Sequence, residues 1–209
     1  MTPREPGTAS QLKETLRKHD LRARKGLGQH FLVDRGILRS IAAAADLSPT
    51  DTVIEVGPGT GLLTSELQAG AGEVIAVELD RNMVAVLHES FPPGGPVRVV
   101  EGDILTWPPD QLLTQFSLRQ AGTYKVVANL PYYITSPVLR HFLHATARPS
   151  VMVVMVQEEV GRAILAGPGD MSLLSVSVQA FARPSAVRKV LARSFVPPPR
   201  APRRQTLPL

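Results

Sequence analysis

A chain of 209 residues, 44% hydrophobic and 20% charged, has the composition of a soluble globular protein with enough length to bury a core without disulfide or metal staples. It contains no cysteine, which excludes disulfide frameworks, thiolate zinc sites, cysteine-ligated iron–sulfur clusters and cysteine nucleophiles. The net charge of +5 is unevenly spread: residues 1–25 hold seven Lys/Arg against three acids, residues 183–209 seven against none, and residues 26–182 nine against fifteen.

Basic ends on a mildly acidic body suit a polyanionic partner, nucleic acid first, or else a pair of solvated tails. No stretch approaches the ~20 apolar residues of a spanning helix, and the start Met1-Thr2-Pro3-Arg4-Glu5 lacks a secretory apolar segment. A cytoplasmic protein without a membrane partner is expected.

Residues 1–10, rich in Pro, Gly, Ser and Thr, read as disordered, and 11–24 as a short basic helix that stops near Gly26 and Gly28. β-Branched runs at 52–56, 73–78, 97–100, 125–129 and 151–156 lack strict alternation, as strands covered on both faces do. A sixth strand is predicted at 185–191. Helices are predicted at 35–45, 62–69, 81–90, 136–145, 157–165 and 173–182. This alternation with short connectors implies an α/β fold with a doubly wound, mostly parallel sheet. The five prolines between Val196 and Leu209 predict an irregular end.

After the first predicted strand the chain reads Glu55-Val56-Gly57-Pro58-Gly59-Thr60-Gly61 and runs straight into a helix. Glycines there permit a tight turn and a close backbone approach, and the helix start favours electron-rich groups. Glu78 ends the second predicted strand, where a carboxylate can accept from both hydroxyls of a ribose. Together they indicate a nucleoside-containing cofactor. The spacing is GxGxG, not the GxGxxG of dinucleotide sites. It suits S-adenosylmethionine (SAM), which has no pyrophosphate to cradle. Asp103, after the third of these strands, is either an ordinary turn residue or an acceptor for an adenine amine at the carboxyl edge of the sheet. No metal site is expected.

The fourth of these strands leads into Asn129-Leu130-Pro131-Tyr132. The exocyclic amine of adenine is a poor nucleophile because its lone pair is delocalised into the ring. Two acceptors pulling on its N–H groups, the Asn129 side-chain oxygen and the Leu130 carbonyl, favour a tetrahedral nitrogen and expose that pair. Pro131 biases Leu130 away from helix and fixes the turn. Tyr132 offers a face on which a base can stack. An activated sulfonium donor needs no strong general base, so catalysis is alignment plus placed dipoles.

With these residues in view, the chain resembles the ribosomal RNA small-subunit adenine dimethyltransferases of the KsgA type, over about residues 24–200. The match rests on Lys25-Gly26-Leu27-Gly28-Gln29-His30-Phe31-Leu32, EVGPGTG, VELD, EGD and NLPYYITSP, then Gln157-Glu158-Glu159-Val160, the 174–179 segment and Phe195-Val196-Pro197-Pro198-Pro199. The resemblance implies a Rossmann-like, class I SAM-dependent methyltransferase. Its implied activity is N6,N6-dimethylation of two adjacent adenosines near the 3′ end of small-subunit (16S) rRNA, during small-subunit biogenesis. It places His30, Leu32, Gly57, Glu78, Asp103 and Asn129 at the cofactor, and Tyr132 and Phe195 on either side of a flipped base. Its partner is the pre-ribosomal small subunit, and a monomer is expected.

The expected organisation is a basic extension (1–24), a methyltransferase domain (25–196) and a Pro/Arg-rich irregular tail (197–209). The family follows its Phe-x-Pro-Pro-Pro segment with a last antiparallel strand and a small helical domain. Here Arg200 leads into Ala-Pro-Arg-Arg-Gln-Thr-Leu-Pro-Leu, so both are expected to be missing by truncation. Two other readings remain: methylation of large-subunit (23S) rRNA adenine, which gives macrolide resistance, and a catalytically weak RNA-binding assembly factor. A nicotinamide dehydrogenase lacks its glycine spacing and leaves Asn129–Tyr132 unexplained.

Overall fold

The computed structural model describes residues 8–21, 30–117, 123–198 and 203–206. Nine strands and eight helices are found among them: α1 Thr8–Lys18, β1 Phe31–Leu32, α2 Arg35–Ala44, β2 Thr52–Val56, α3 Leu62–Gln68, β3 Glu73–Glu78, α4 Arg81–Ser90, β4 Val97–Glu101, α5 Pro109–Phe116, β5 Tyr124–Asn129, α6 Thr135–Leu143, β6 Val151–Gln157, α7 Glu158–Ile164, α8 Leu173–Gln179, β7 Ala186–Val190, β8 Phe195–Val196 and β9 Arg203–Thr206.

The main sheet has seven strands in the order β4-β3-β2-β5-β6-β9-β7. From β4 to β6 all neighbours are parallel, and β9 alone runs antiparallel to both of its neighbours. Each face of the sheet has its own apolar layer. Ile54, Ile75, Val126 and Val154 meet Leu112 of α5, Leu139 and Phe142 of α6 and Val178 of α8. Val53, Val74, Val127 and Val153, on the other face, meet Ile37 of α2, Leu67 of α3 and Leu87 of α4. That three-layer α/β/α arrangement explains why β2 and β3 are buried at every residue and show no period-two alternation.

Sequence order reverses on either side of the β2–β5 pair: β3 and β4 extend one way, β5 and β6 the other. A crevice opens beyond the carboxyl ends of the strands at such a point, which is where open α/β sheets hold ligands.

Three features depart from expectation. The last strand is present: Arg203–Thr206 lies between β6 and β7, paired Gln157↔Arg203 and Val154↔Thr206 on one side and Val190↔Arg203 on the other. None of the four residues of this strand is proline, so they keep every N–H that the ladder needs. The segment 197–209 is thus not wholly irregular, and β6 and β7 are joined through it. The N-terminal helix begins at Thr8, inside the stretch expected to be disordered, because Leu12 buries against Phe31 and Met83. The predicted continuation of that helix to residue 24 lies outside the described residues from residue 22 on. Helix α5 escapes prediction because Pro108-Pro109 reads as a break, although Pro109 sits in the first turn, where a missing N–H costs nothing.

Candidate active site

A cleft of about 170 Å³ lies over the carboxyl ends of β2, β3, β4 and β5. Four segments build it: His30-Phe31-Leu32, the Glu55–Thr60 loop, Glu78 with Leu79, and Gly102–Ile104; Asn129, Pro131, Tyr133 and Ile134 close the β5 side.

The glycine loop takes its shape from left-handed backbone at Gly57 (φ 66°), Gly59 (φ 59°) and Gly61 (φ 82°), which L side chains rarely adopt. Gly61 caps α3 and packs against Phe91, so the helix starts hard against the apolar layer. Glu78 fastens the loop. One of its oxygens accepts from the Gly59 N–H at 2.9 Å and the other from the Asp80 N–H at 2.9 Å. A carboxylate has about four acceptor positions, so these backbone donors leave capacity for a ribose hydroxyl. Burial pushes the Glu78 carboxyl above its ordinary range, against the pull of the Asp80, Gly59 and Leu79 N–H groups.

Beneath the loop is a second carboxyl, which the sequence marks only as the acid two residues before Gly57. Glu55 is 1% exposed yet forms part of the cleft wall. It accepts one hydrogen bond, from Thr64 Oγ1 of α3, at 2.6 Å. Burial first, and the nearby negative charge of Glu78 in addition, raise its pKa to about 8, against the downward pull of Thr64.

Asp103 is a turn residue that also lines the cleft: one of its oxygens accepts from the Leu105 N–H at 3.0 Å and starts a 3-10 turn. His30 Nδ1 donates to the Pro197 carbonyl at 2.8 Å, which ties the strand at the cleft mouth to the β8 segment. The pairing Phe31↔Val196 and Leu32↔Phe195 does the same through the backbone.

At the end of β5, Asn129 lines the cleft, and its Nδ2 donates to the His30 carbonyl at 3.4 Å. The Leu130 N–H donates to the Met155 carbonyl at 3.2 Å, so this peptide is pinned to β6. Pro131 opens a 3-10 turn over Tyr132–Ile134, and its carbonyl accepts from Thr135 Oγ1 at 3.1 Å. Strand, turn and helix thus follow one another with no slack.

His30, Leu32, Gly57, Glu78, Asp103, Asn129 and Pro131 therefore meet at one cleft. Phe195 does not join them. It is 2% exposed and packs in the apolar layer with its strand partner Leu32. Tyr132 opens the one-turn helix after Pro131, and Tyr133 beside it is 56% exposed and lies at the cleft. The adjacent Tyr-Tyr pair puts an aromatic here, and sequence reasoning passed over Tyr133. Residues 25–29 of the first motif lie outside the described residues.

Charge divides along the sheet. Residues 30–130, which build the cofactor half, hold six Lys/Arg and twelve Asp/Glu, whereas residues 131–209 hold ten and three. In the second half, the buried Glu158 pairs with both Arg162 and Lys189 at 2.7 Å. Arg140, Arg148, Arg183 and Arg193 are exposed.

The sheet order, the glycine turn and the carboxylate at the end of β3 together define the Rossmann-like fold of the class I SAM-dependent methyltransferases. The Ribosomal RNA adenine dimethylase family matches residues 20–201, and the chain belongs to that family. Among curated proteins it is 53% identical over 194 residues to a Ribosomal RNA small subunit methyltransferase A of Dehalococcoides mccartyi, covering 93% of this chain and 65% of that protein. Its identity to the protein of the same name from Moorella thermoacetica is 49%, over 88% of this chain and 66% of that one. The chain thus spans about two thirds of the length of these relatives. Among solved structures, a dimethyladenosine transferase from Plasmodium falciparum superposes with a TM-score of 0.71 at 29% identity, covering 86% of this chain and 64% of that one. The 23S rRNA methyltransferase ErmE superposes with a TM-score of 0.73 at 31% identity, covering 84% and 68%.

Proposed function

We propose that this protein transfers methyl groups from SAM to the N6 amines of two adjacent adenosines near the 3′ end of small-subunit rRNA, dimethylating each. The observation that carries the reading is the placement of Asn129, a side-chain amide at the end of β5, in the same cleft as Glu78 and the glycine loop.

The residues present fit SAM. Glu78 has acceptor capacity left for a ribose, Asp103 stands one strand further along for an adenine amine, and Phe31, Leu32, Leu63 and Ile104 supply apolar walls. A Cβ on Gly57 would meet nothing within 4 Å, so that glycine serves backbone conformation and the approach of a ligand, not packing. SAM, when bound, supplies an electrophilic methyl on a sulfonium.

The chain's own residues do the rest. Asn129 and the Leu130 carbonyl hold the target amine by its two N–H groups and turn its lone pair outward. The bond from Leu130 to Met155 and the bond between Pro131 and Thr135 fix those acceptors in advance, so little reorganisation remains for the reacting state. An aromatic ring of the Tyr132-Tyr133 pair stacks on the base after it leaves the helix stack. The amine proton passes to solvent once the nitrogen has become cationic. The surplus of arginine beyond β5 suits the rRNA backbone, and the surplus of acid on the other side suits the cationic donor.

The testing experiment is incubation with labelled SAM and undermethylated small or large ribosomal subunits, followed by mapping of the modified bases. Two adjacent dimethyladenosines in the small subunit are expected. Label confined to the large subunit would transfer the reading to the activity that ErmE's name describes. No label despite measurable SAM binding would leave an RNA-binding assembly factor.

A further inference from the structure

Glu55 is the cleft group that the proposed methyl transfer leaves unused. Its carboxyl is withdrawn from water, has Thr64 as its hydrogen-bond donor at 2.6 Å, and shares its surroundings with the carboxyl of Glu78. The two differ in support. Glu78 accepts from two backbone N–H groups, whereas the bond that holds Glu55 comes from a side-chain hydroxyl. The other elements against it bring no described cation: its cross-strand partners are Ala76 on β3 and Val127 on β5, and the remaining titratable groups of the cleft are Asp103, His30 and Tyr133. A carboxyl so placed holds its proton until a positive charge comes beside it.

We infer that Glu55 is a specificity-determining residue through which the cleft distinguishes the sulfonium donor from its thioether product, giving up a proton to solvent when the donor binds and keeping it when the product binds. The inference rests on the reading of the cleft as a SAM site. Donor and product share the amino and carboxylate groups of their methionine part, whose charges cancel, and differ by the one positive charge on sulfur. That charge, inside a cleft walled by Leu32, Leu63 and Ile104, acts on Glu55 with little screening. The buried rise of Glu55 to about 8 puts the exchange within the neutral range. Loss of the sulfonium on methyl transfer returns Glu55 to the neutral form, so the spent product has no carboxylate counter-charge to hold it there.

The test is titration calorimetry of the full chain with SAM and with S-adenosylhomocysteine, in two buffers of different ionisation enthalpy, from pH 6 to pH 9. For SAM the expectation is release of close to one proton near pH 7 and an affinity that rises by up to about tenfold per pH unit until about pH 8. For S-adenosylhomocysteine it is little release and a flat profile. Equal proton release for both ligands, including none for either, overturns the inference while leaving the SAM site intact. Failure of both ligands to bind a folded sample instead removes the cofactor reading itself. In Glu55→Gln the SAM profile is expected to flatten to that of the product, and a surviving pH slope overturns the assignment to this residue. Should that variant fail to fold, the two-ligand comparison on the unaltered chain decides alone.

Discussion

Gly59 and Glu78 are joined by a 2.9 Å hydrogen bond from the backbone N–H of the glycine loop to a carboxylate oxygen at the end of the neighbouring strand. The residue proposed to take the ribose is thereby also the residue that sets the loop, so a change at Glu78 is expected to alter cofactor binding and loop shape together. Bonds to charged acceptors contribute about 1.5–3 kcal/mol. Glu78→Ala is therefore expected to weaken SAM binding by at least about a hundredfold, once the loss of the loop bond is added to that of the ribose. Equilibrium binding with a folded-state check by circular dichroism measures it. Binding within about threefold of the unaltered chain, less than one such bond is worth, contradicts the role.

On the proposed function, substitution of Asn129 should separate binding from chemistry. Asn129→Ala is expected to lower kcat by about 10²–10³-fold, the usual effect of removing one preorganised polar group from a reacting centre. SAM affinity should change by about tenfold or less, the equivalent of one neutral hydrogen bond. Single-turnover methylation and calorimetry on the same sample give the two numbers.

Gly61 tests the loop from beneath. A Cβ there would stand 2.5 Å from Cε2 of Phe91, at a φ of 82°. Left-handed strain and overpacking each cost about 1–3 kcal/mol, so Gly61→Ala should destabilise the protein by about 2–6 kcal/mol in urea unfolding. Gly57→Ala meets no neighbour within 4 Å and should retain the overpacking part of that stability.

Glu55 also couples stability to pH without any ligand. Its folded pKa of about 8 lies above the 4.5 of an ordinary glutamate. Below about 4.5 the carboxyl is protonated in both folded and unfolded states. Between the two values only the folded state keeps the proton, so this group's contribution falls as pH rises, by up to about 1.4 kcal/mol per unit, and levels off above about 8. The difference in unfolding free energy between the unaltered chain and Glu55→Gln, followed from pH 5 to pH 9, isolates that slope. A difference that grows in favour of the unaltered chain with rising pH has the wrong sign.

The basic half of the sheet makes a prediction about salt. Replacing Arg140, Arg148, Arg183 and Arg193 together by Gln should weaken rRNA binding and flatten the plot of log affinity against log salt by up to about 0.7–0.9 for each phosphate no longer neutralised. SAM affinity should be unaffected, since none of the four lines the cofactor cleft. An unchanged salt slope would place the RNA elsewhere.

Strands β2 and β3 and helix α4 lie at the residues predicted for them. A buried parallel strand is an unbroken β-branched run, and an Asp cap announces the helix, so both signals are local. The GxGxG turn and Glu78 are legible for the same reason: each follows directly from a strand end. Strand β9 is not. Its four residues, Arg203-Arg204-Gln205-Thr206, carry no apolar run, and only the gap between β6 and β7 makes them a strand.

By itself, the order of residues determined the alternating α/β architecture, the nucleoside loop and the Asn-Leu-Pro-Tyr turn, because each depends on neighbours within about ten positions. Folding in three dimensions decided the rest. Pairing of β1 with β8 draws Phe195 into the core; a one-turn helix brings Tyr133 to the cleft; α3 and β3 close around Glu55 and leave its carboxyl without water. Those outcomes hinge on packing between segments as much as 163 positions apart, as Leu32 and Phe195 are. Desolvation and side-chain direction belong to the assembled molecule, and no stretch of chain carries them alone.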